Sequence, residues 1–228
     1  MQSILDACTN HRINAKVSIV ISNNSRAGAI ARAWSQNIPT AHLSGVTHGT
    51  PHDLDNAIHE TLIQHGVDVI VLAGYMKRLG PCVLSDYWGR ALNTHPALLP
   101  KFGGKGMYGD RVHEAVLASR EKVSGATVHL VESEYDTGEV ISQDTVPVHK
   151  WDTVNSLRAR VQAMERRHYV SVLEKIAARK RPLPGLQPIR SPSQIRHAGD
   201  QTAQAFAVAV QKRLVRREGV TTVPAQRF

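Results

Sequence analysis

Two polar side chains lie two residues apart at the end of an apolar stretch in the sequence ALNTHPALLP, residues 91–100. Asn93 and His95 would share one face of an extended strand, because successive side chains alternate between the two faces. Pro96 and Pro100 follow, and proline cannot continue the hydrogen-bonded ladder. The pattern predicts a strand that ends by presenting an amide and an imidazole together.

A carboxylate from a separate loop could complete this pair. Asp136 lies in the sequence ESEYDTG, residues 132–138. A carboxylate raises the pKa of a neighbouring imidazole by favouring its charged form, and an asparagine amide can donate to an oxygen that gains negative charge. Asn93, His95 and Asp136 together would form a site for proton transfer and oxyanion stabilisation. Spacing alone does not show that the three meet, and Asp136 in isolation is typical of a turn.

The elements that must position these residues are strands alternating with helices. The runs KVSIVIS (16–22) and VDVIVLAG (67–74) are continuous and apolar, which is typical of strands buried on both faces of a parallel sheet. This alternation predicts an α/β fold with a doubly wound, mostly parallel, Rossmann-like sheet. Ligands of such sheets bind beyond the carboxyl ends of the strands, where Asn93 and His95 would lie. Further predicted elements are helices at 25–37, 51–66, near 110–119 and at 153–180, a strand at 90–95, and an antiparallel hairpin on either side of 132–138.

The charge of the chain is concentrated in its last fifty residues. The net charge is +9, and residues 179–228 contribute +8 of it through ten Lys/Arg against two acidic residues. We therefore divide the chain into a domain at 1–181 and a basic, Pro-rich linker with a further segment at 182–228. Within that second part, residues 202–217 could form an amphipathic helix, since Phe206, Val210 and Leu214 recur at every fourth position.

Composition argues against several classes of protein. No apolar run reaches the roughly 20 residues that a membrane span requires, and no signal-peptide pattern opens the sequence. The two cysteines, Cys8 and Cys82, cannot form a disulfide framework, and the twelve scattered histidines show no metal-ligand spacing. We expect a cytoplasmic protein without a metal site.

Three ordered motifs carry a resemblance to a known family. The sequences DVIVLAGYMKRL (68–79), LNTHPALLPKF (92–102) and SGATVHLVESEYDTGEVISQ (124–143) resemble the folate-dependent formyltransferases, and among them the glycinamide ribonucleotide formyltransferases of purine synthesis. The similarity extends over about residues 1–178. It implies transfer of a formyl group from the co-substrate 10-formyltetrahydrofolate to the primary amine of glycinamide ribonucleotide, without a metal.

The resemblance also implies roles for individual residues. Asn93 and a protonated His95 would stabilise the oxyanion, while Asp136 would keep the imidazole charged and relay protons through water. Glu165 would contact the ribose of the acceptor, although on its residue type alone it is typical of a solvated helix charge. The implied folate contacts are Met76, Lys77, Arg78, Leu79, Asn93, Glu132, Ser133, Glu134, Tyr135 and Asp136. The implied acceptor contacts are Met1, Gln2, Gln162, Ala163, Met164 and Glu165.

The sequence departs from the family pattern at its beginning. The family opens with a strand and a Gly-Ser-Asn loop that holds the substrate phosphate on backbone amides at a helix start. Met1 and Gln2 align with the end of that loop. We therefore expect that the true start lies upstream, that an interior strand is missing, and that the phosphate is bound poorly.

A second departure is the glycine-rich stretch FGGKGMYGDRVH, residues 102–113. Gly104, Gly106 and Gly109 match the dinucleotide fingerprint, but a loop with Pro100 precedes them rather than the first strand of a βαβ unit. We interpret the stretch as a flexible lid near the reacting amine.

Other functions remain open at this point. The chain could be another folate-dependent formyltransferase or a hydrolase, although it lacks the strand-rich C-terminal pattern of methionyl-tRNA formyltransferases, and sugar formyltransferases fit the signature less well. It could also be a non-catalytic protein that binds polyanions through its basic tail. We do not expect nucleic-acid binding, because the tail carries no recognised motif, and we expect formyl transfer to survive removal of 183–228. A homodimer is compatible with the resemblance.

Overall fold

A mixed sheet flanked by helices forms the part of the protein that the computed structural model describes, which is residues 1–186 and 204–210. The helices are α1 (Gln2–Thr9), α2 (Gly28–Trp34), α3 (Pro51–Gln64), α4 (Pro81–Asp86), α5 (Asp110–Ala118) and α6 (Val154–Ala177). The strands are β1 (Ala15–Ser22), β2 (Thr40–His42), β3 (Val69–Leu72), β4 (Ala91–His95), β5 (Val123–Leu130), β6 (Val140–Pro147) and β7 (Gln204–Val210).

The strands are ordered β2-β1-β7-β3-β4-β5-β6 across the sheet. Every pair from β2 to β4 is parallel, while β4 with β5 and β5 with β6 are antiparallel. The predicted doubly wound, mostly parallel sheet with an antiparallel hairpin is therefore confirmed. Since β3 and β4 run in the same direction, their carboxyl ends reach the same edge of the sheet, which is where the candidate site forms.

Local sequence explains several of these elements. All four residues of β3, VIVL, are buried, as expected for a strand covered on both faces. Helix α3 begins at Pro51, since proline is favoured in the first turn of a helix. The side chain of Thr50, just before it, accepts a hydrogen bond from the Asp53 amide. Helix α6 begins with a capping box formed by Thr153 and Ser156.

The strand β7 is the main difference from the sequence-based expectation. The helix expected at 202–217 is wrong over Gln204–Val210, and the remainder of that segment lies outside the described residues. Phe206 and Val208 pack into the core on one face of the sheet, while Ala207 and Ala209 pack into the core on the other. The run AFAVAV alternates with a period of two as well as fitting a helical stripe, and two-sided burial decides in favour of the strand.

β7 lies between β1 and β3, in the interior of the sheet. Phe206 pairs with Val17 of β1 on one side and Val69 of β3 on the other. The backbone amide of Ala205 also donates to the Asp68 carboxylate at 2.9 Å. The expected gap in the sheet is thus filled by a segment from the other end of the chain. This position puts Gln204–Val210, a part of the second segment, inside the sheet of the domain predicted at 1–181.

Within residues 1–186 and 204–210, no helix is both long and apolar enough to cross a bilayer. The same residues contain no cluster of three or more His, Cys, Asp or Glu side chains arranged to hold a metal ion.

Candidate active site

The carboxyl end of β4 forms one wall of a cavity of about 460 Å³. Asn93 and His95 both line it, as the alternation along the strand predicts. Asp136 reaches the same cavity from the loop between β5 and β6. The structure therefore brings together the three residues that spacing alone could not connect.

His95 is held between two acceptors. Its side chain is almost completely buried, and its Nε2 donates to the carbonyl oxygen of Phe102 at 2.7 Å. Its Nδ1 lies 3.3 Å from Asp136 Oδ2. Since a carbonyl and a carboxylate both accept, this environment can hold a doubly protonated, positively charged imidazole.

Burial changes the electrostatics that the sequence suggested for His95. Desolvation lowers the pKa of His95 below its ordinary value, while Asp136 and the Phe102 carbonyl oppose that shift and His129 adds to it. Asp136 does raise the pKa of His95, as expected. The net pKa is nevertheless lowered, because desolvation has the larger effect. The charged form of His95 needs further negative charge in the cavity to become favourable.

A second buried histidine, His129, was not singled out by the sequence. The antiparallel register places it opposite Asn93 on β5. Its Nδ1 donates to the Leu130 carbonyl at 2.8 Å, and its Nε2 lies 3.1 Å from Asn93 Nδ2 and 3.4 Å from Asp136 Oδ1. His129 thus contacts both the amide and the carboxylate. The signal for it was a titratable residue in the mostly apolar strand sequence GATVHLV.

Asp136 is held by its backbone and by contacts with His95, His129 and the Gly104 amide. Its φ of +59° is in the left-handed region, which aspartate tolerates better than most residues. Its Oδ2 accepts from the Gly104 amide at 2.9 Å. Burial alone would raise the pKa of Asp136, but His129, His95 and the Gly104 amide outweigh it, so the pKa is lowered. Asp136 is therefore an ionised carboxylate at neutral pH.

The two segments predicted to contact folate lie side by side. A narrow cleft separates the loop after β3 from the loop after β5, and it opens next to Asn93. Arg78 bridges the cleft to Glu134 Oε1 at 3.1 Å and lies 5.9 Å from the ring centre of Tyr135. Of the predicted folate contacts, these residues line the cleft: Lys77, Arg78, Leu79, Asn93, Glu132, Glu134, Tyr135 and Asp136. Met76 lines the larger cavity instead, and Ser133 is solvent-exposed.

The residues predicted to contact the acceptor are only partly brought together. Gln162 and Glu165 line the main cavity and, with Met1, an adjoining crevice of about 230 Å³. Met164 points away, because its side chain is 4% exposed and packs in the core beneath α6. Ala163 and Gln2 are exposed, and the Gln2 amide donates to Asp6.

Glu165 is a further titratable group in this cavity. It is partly buried, and desolvation raises its pKa to about 7, against the lowering effects of the Met1 ammonium group and of the neighbouring Arg166. Glu165 therefore changes its charge close to neutral pH, whereas Asp136 does not.

The glycine-rich loop covers the cavity opposite β4. Gly104, Gly106 and Gly109 all have positive φ, in the region that disfavours other residues, and all three line the cavity. The loop follows β4 and Pro100 rather than the first strand of the sheet, so the dinucleotide fingerprint lacks its required context. Whether the loop moves as a lid stays a prediction.

Comparison with known proteins identifies relatives of this arrangement. The chain is 35% identical over 85% of its length to the chloroplastic phosphoribosylglycinamide formyltransferase of Arabidopsis thaliana, of which it covers 68%. It is 36% identical over 76% of its length to the phosphoribosylglycinamide formyltransferase of Haemophilus influenzae, covering 80% of that protein. The crystal structure of glycinamide ribonucleotide transformylase 1 from Symbiobacterium toebii superposes with a TM-score of 0.72 at 36% identity, over 78% of this chain and 81% of that one.

The family model described as formyl transferase matches residues 1–173, which include β4, β5, the loop with Asp136 and most of α6. The cavity at the carboxyl end of β4, which His95 and Asp136 line, lies wholly within the matched part. The chain therefore belongs to the formyl transferase family.

Proposed function

We propose that the protein transfers the formyl group of 10-formyltetrahydrofolate to the amine of glycinamide ribonucleotide, a step of purine biosynthesis. The observation that carries this function is the single cavity that Asn93, His95, Asp136 and Glu165 all line. A formyl donor and a ribonucleotide acceptor must meet in one space for direct transfer, and this cavity joins the two predicted binding regions.

In the proposed reaction the acceptor amine attacks the formyl carbon, and the carbonyl electron pair moves onto the oxygen. One N–H of the Asn93 amide is directed at His129, which leaves the second N–H for that oxygen. His95 would exchange its bond to the Phe102 carbonyl for a bond to the oxyanion, which is the stronger acceptor.

The charge of His95 would follow the reaction. In the free protein burial disfavours the imidazolium, but an oxyanion beside the ring adds the negative charge that Asp136 alone does not supply. The proton released by the attacking nitrogen would pass by way of Asp136 and water to N10 of the folate. The bond from the formyl carbon to N10 then breaks, giving tetrahydrofolate and the formylated amide.

The remaining ligand contacts are proposals of the same kind. The pterin would enter the cleft beside Arg78 and Tyr135, where the exposed ion pair between Arg78 and Glu134 is weak enough to open. The ribose hydroxyls would bond to Glu165 in its ionised form. We also propose a cytoplasmic location, and size-exclusion chromatography with light scattering would decide between a monomer and a homodimer.

The test is a transfer assay with 10-formyltetrahydrofolate and glycinamide ribonucleotide. We expect formylated product from the wild type, and about 10²- to 10⁴-fold less from His95→Ala, the range typical of removing a general acid–base group. Binding of a folate analogue should be retained by this variant. Release of formate without any acceptor, at the rate seen with acceptor, would instead favour the hydrolase alternative.

A further inference from the structure

His113 is a buried titratable group for which the mechanism above has no role. It lies on α5, its side chain is 2% exposed, and it lines the same cavity as Asn93 and His95. Its Nδ1 is shielded from solvent and has no hydrogen-bond partner among the described residues. Buried nitrogens without a partner are uncommon in native proteins, and this one bears on which ring nitrogen carries the proton.

The surroundings of His113 keep it neutral. Burial lowers its pKa, Arg158 and His95 lower it further, and Asp110 opposes them. These neighbours belong to α6, β4 and α5, and Arg158 Nη1 is itself paired with Asp110 Oδ1 at 2.6 Å. A neutral imidazole has one N–H donor and one acceptor nitrogen. Since a buried N–H without a partner is rarer than an under-satisfied acceptor, the proton belongs on Nε2 rather than on the enclosed Nδ1.

The spacing of residues along helix α6 indicates how far the formyl acceptor would extend in the cavity and where it would meet His113. Arg158, Gln162 and Glu165 are spaced by four and three residues and all line the cavity, so they form one stripe along the helix. At 1.5 Å per residue, Arg158 and Glu165 are about 10 Å apart along the axis. With the ribose at Glu165, an acceptor that extends toward Arg158 brings its glycinamide arm to the level of His95 and His113.

We propose that His113 determines acceptor specificity by donating a hydrogen bond from Nε2 to the amide carbonyl oxygen of the glycinamide arm. This bond would fix the rotation of the arm. The amine, which is two bonds from the carbonyl carbon, would then face the formyl carbon held near Asn93 and His95. The inference rests on the proposed function, because it takes glycinamide ribonucleotide as the acceptor.

The test compares two acceptors and two variants at position 113. The two formyl acceptors are glycinamide ribonucleotide and its thioamide. In the thioamide, sulfur replaces the carbonyl oxygen and accepts hydrogen bonds more weakly. We expect His113→Leu to lower kcat/KM for the normal acceptor about tenfold, the effect of one lost hydrogen bond, with KM for 10-formyltetrahydrofolate unchanged. His113→Gln, whose amide can place a donor near the Nε2 position, should retain most of the activity.

The decisive measurement is the ratio of kcat/KM for the two acceptors. The wild type and His113→Gln should prefer the oxygen compound, and His113→Leu should lose most of that preference. His168→Leu is the matched control, because His168 Nε2 is also enclosed and has no partner within residues 1–186 and 204–210, but its ring is not among those that line this cavity. This control should keep the preference even if it is less stable.

The outcomes separate the inference from the proposed function. A wild type that uses glycinamide ribonucleotide, with equal preference in wild type and His113→Leu, overturns the role of His113 alone. Equal losses on both acceptors in His113→Leu also overturn it, because a merely structural role would give that result. A folded wild type without any transfer to glycinamide ribonucleotide overturns the proposed function and this inference with it.

Discussion

Strands β4 and β7 are both buried in the same sheet, yet they serve it in opposite ways. β4 ends in Asn93 and His95, and both side chains line the reaction cavity. From Ala205 to Ala209, β7 has only apolar side chains, all buried, and it connects β1 to β3. The end of β4 thus carries the proposed reacting groups, while β7 joins the two halves of the sheet.

Because of this difference, we expect variants of β7 to affect stability and variants at the end of β4 to affect catalysis. Residues at the end of β4 contact one another and the cavity, so replacing them should reduce turnover with little change in folding. Residues of β7 contact the core on both faces, so replacing them should unfold the protein without any specific effect on the reaction.

The largest expected effect is that of removing β7. Deletion of 204–228 leaves β1 and β3 with unpaired edges and two cores with exposed apolar surface, so we expect loss of the cooperative thermal transition. Deletion of 211–228 is the matched control, because it keeps all of β7, and it should melt like the full chain. Circular dichroism melts of the three chains would check this. Coincident melts of the full chain and the 204–228 deletion would show that β7 contributes nothing to the fold.

A single residue can sharpen the same contrast. Phe206→Ala removes a fully buried ring from the core and should lower the free energy of unfolding by about 3–5 kcal/mol. Val46→Ala, at a side chain that is 95% exposed, is the control and should change little. Urea denaturation gives both values. At temperatures where it is folded, Phe206→Ala should keep the wild-type kcat, and a large fall in kcat would break the proposed division of roles.

The corresponding variant on the catalytic side is Asp136→Asn. It keeps the shape of the side chain but removes the negative charge beside His95 and His129. We expect kcat to fall about 10²-fold or more, since the imidazolium loses its counter-charge, while the melting temperature changes by only a few degrees. Steady-state kinetics and a melt on the same sample would check both. A melting temperature lowered by much more than a few degrees would mean that the cluster of His95, His129 and Asp136 is mainly structural.

The smallest expected effect concerns the pH dependence set by Glu165. Its pKa is raised from 4.5 to about 7, so the neutral form is favoured by folding. The resulting stabilisation is fully present below about pH 4.5 and is lost as pH rises through 7, while binding of ribose hydroxyls by the carboxylate should improve over the same range. The acceptor KM of the wild type should therefore fall between pH 6 and 8.

Glu165→Gln is the control for that pH effect, because it cannot ionise. Its acceptor KM should be nearly independent of pH in this range, and its free energy of unfolding should not show the decline between pH 4.5 and 7. Parallel pH profiles for the wild type and this variant would refute the assignment of the titration to Glu165.

The local features of the site follow from short stretches of the amino-acid sequence. Apolar runs and their Gly and Pro boundaries predicted β1, β3 and β4, and the motif around Asn93 and His95 placed two reacting groups at a strand end. These predictions succeed because strand alternation and turn chemistry depend on residues that are neighbours in the chain.

The features that join distant parts of the chain depend on tertiary packing. The folded structure placed His129 opposite Asn93, lowered the pKa of His95 through burial, and inserted β7 between β1 and β3. The sequence AFAVAV is compatible with a helix or a strand, and the choice depends on apolar surfaces that belong to residues nearly two hundred positions away. Burial and pairing of that kind are properties of the assembled core, so no local pattern could have supplied them.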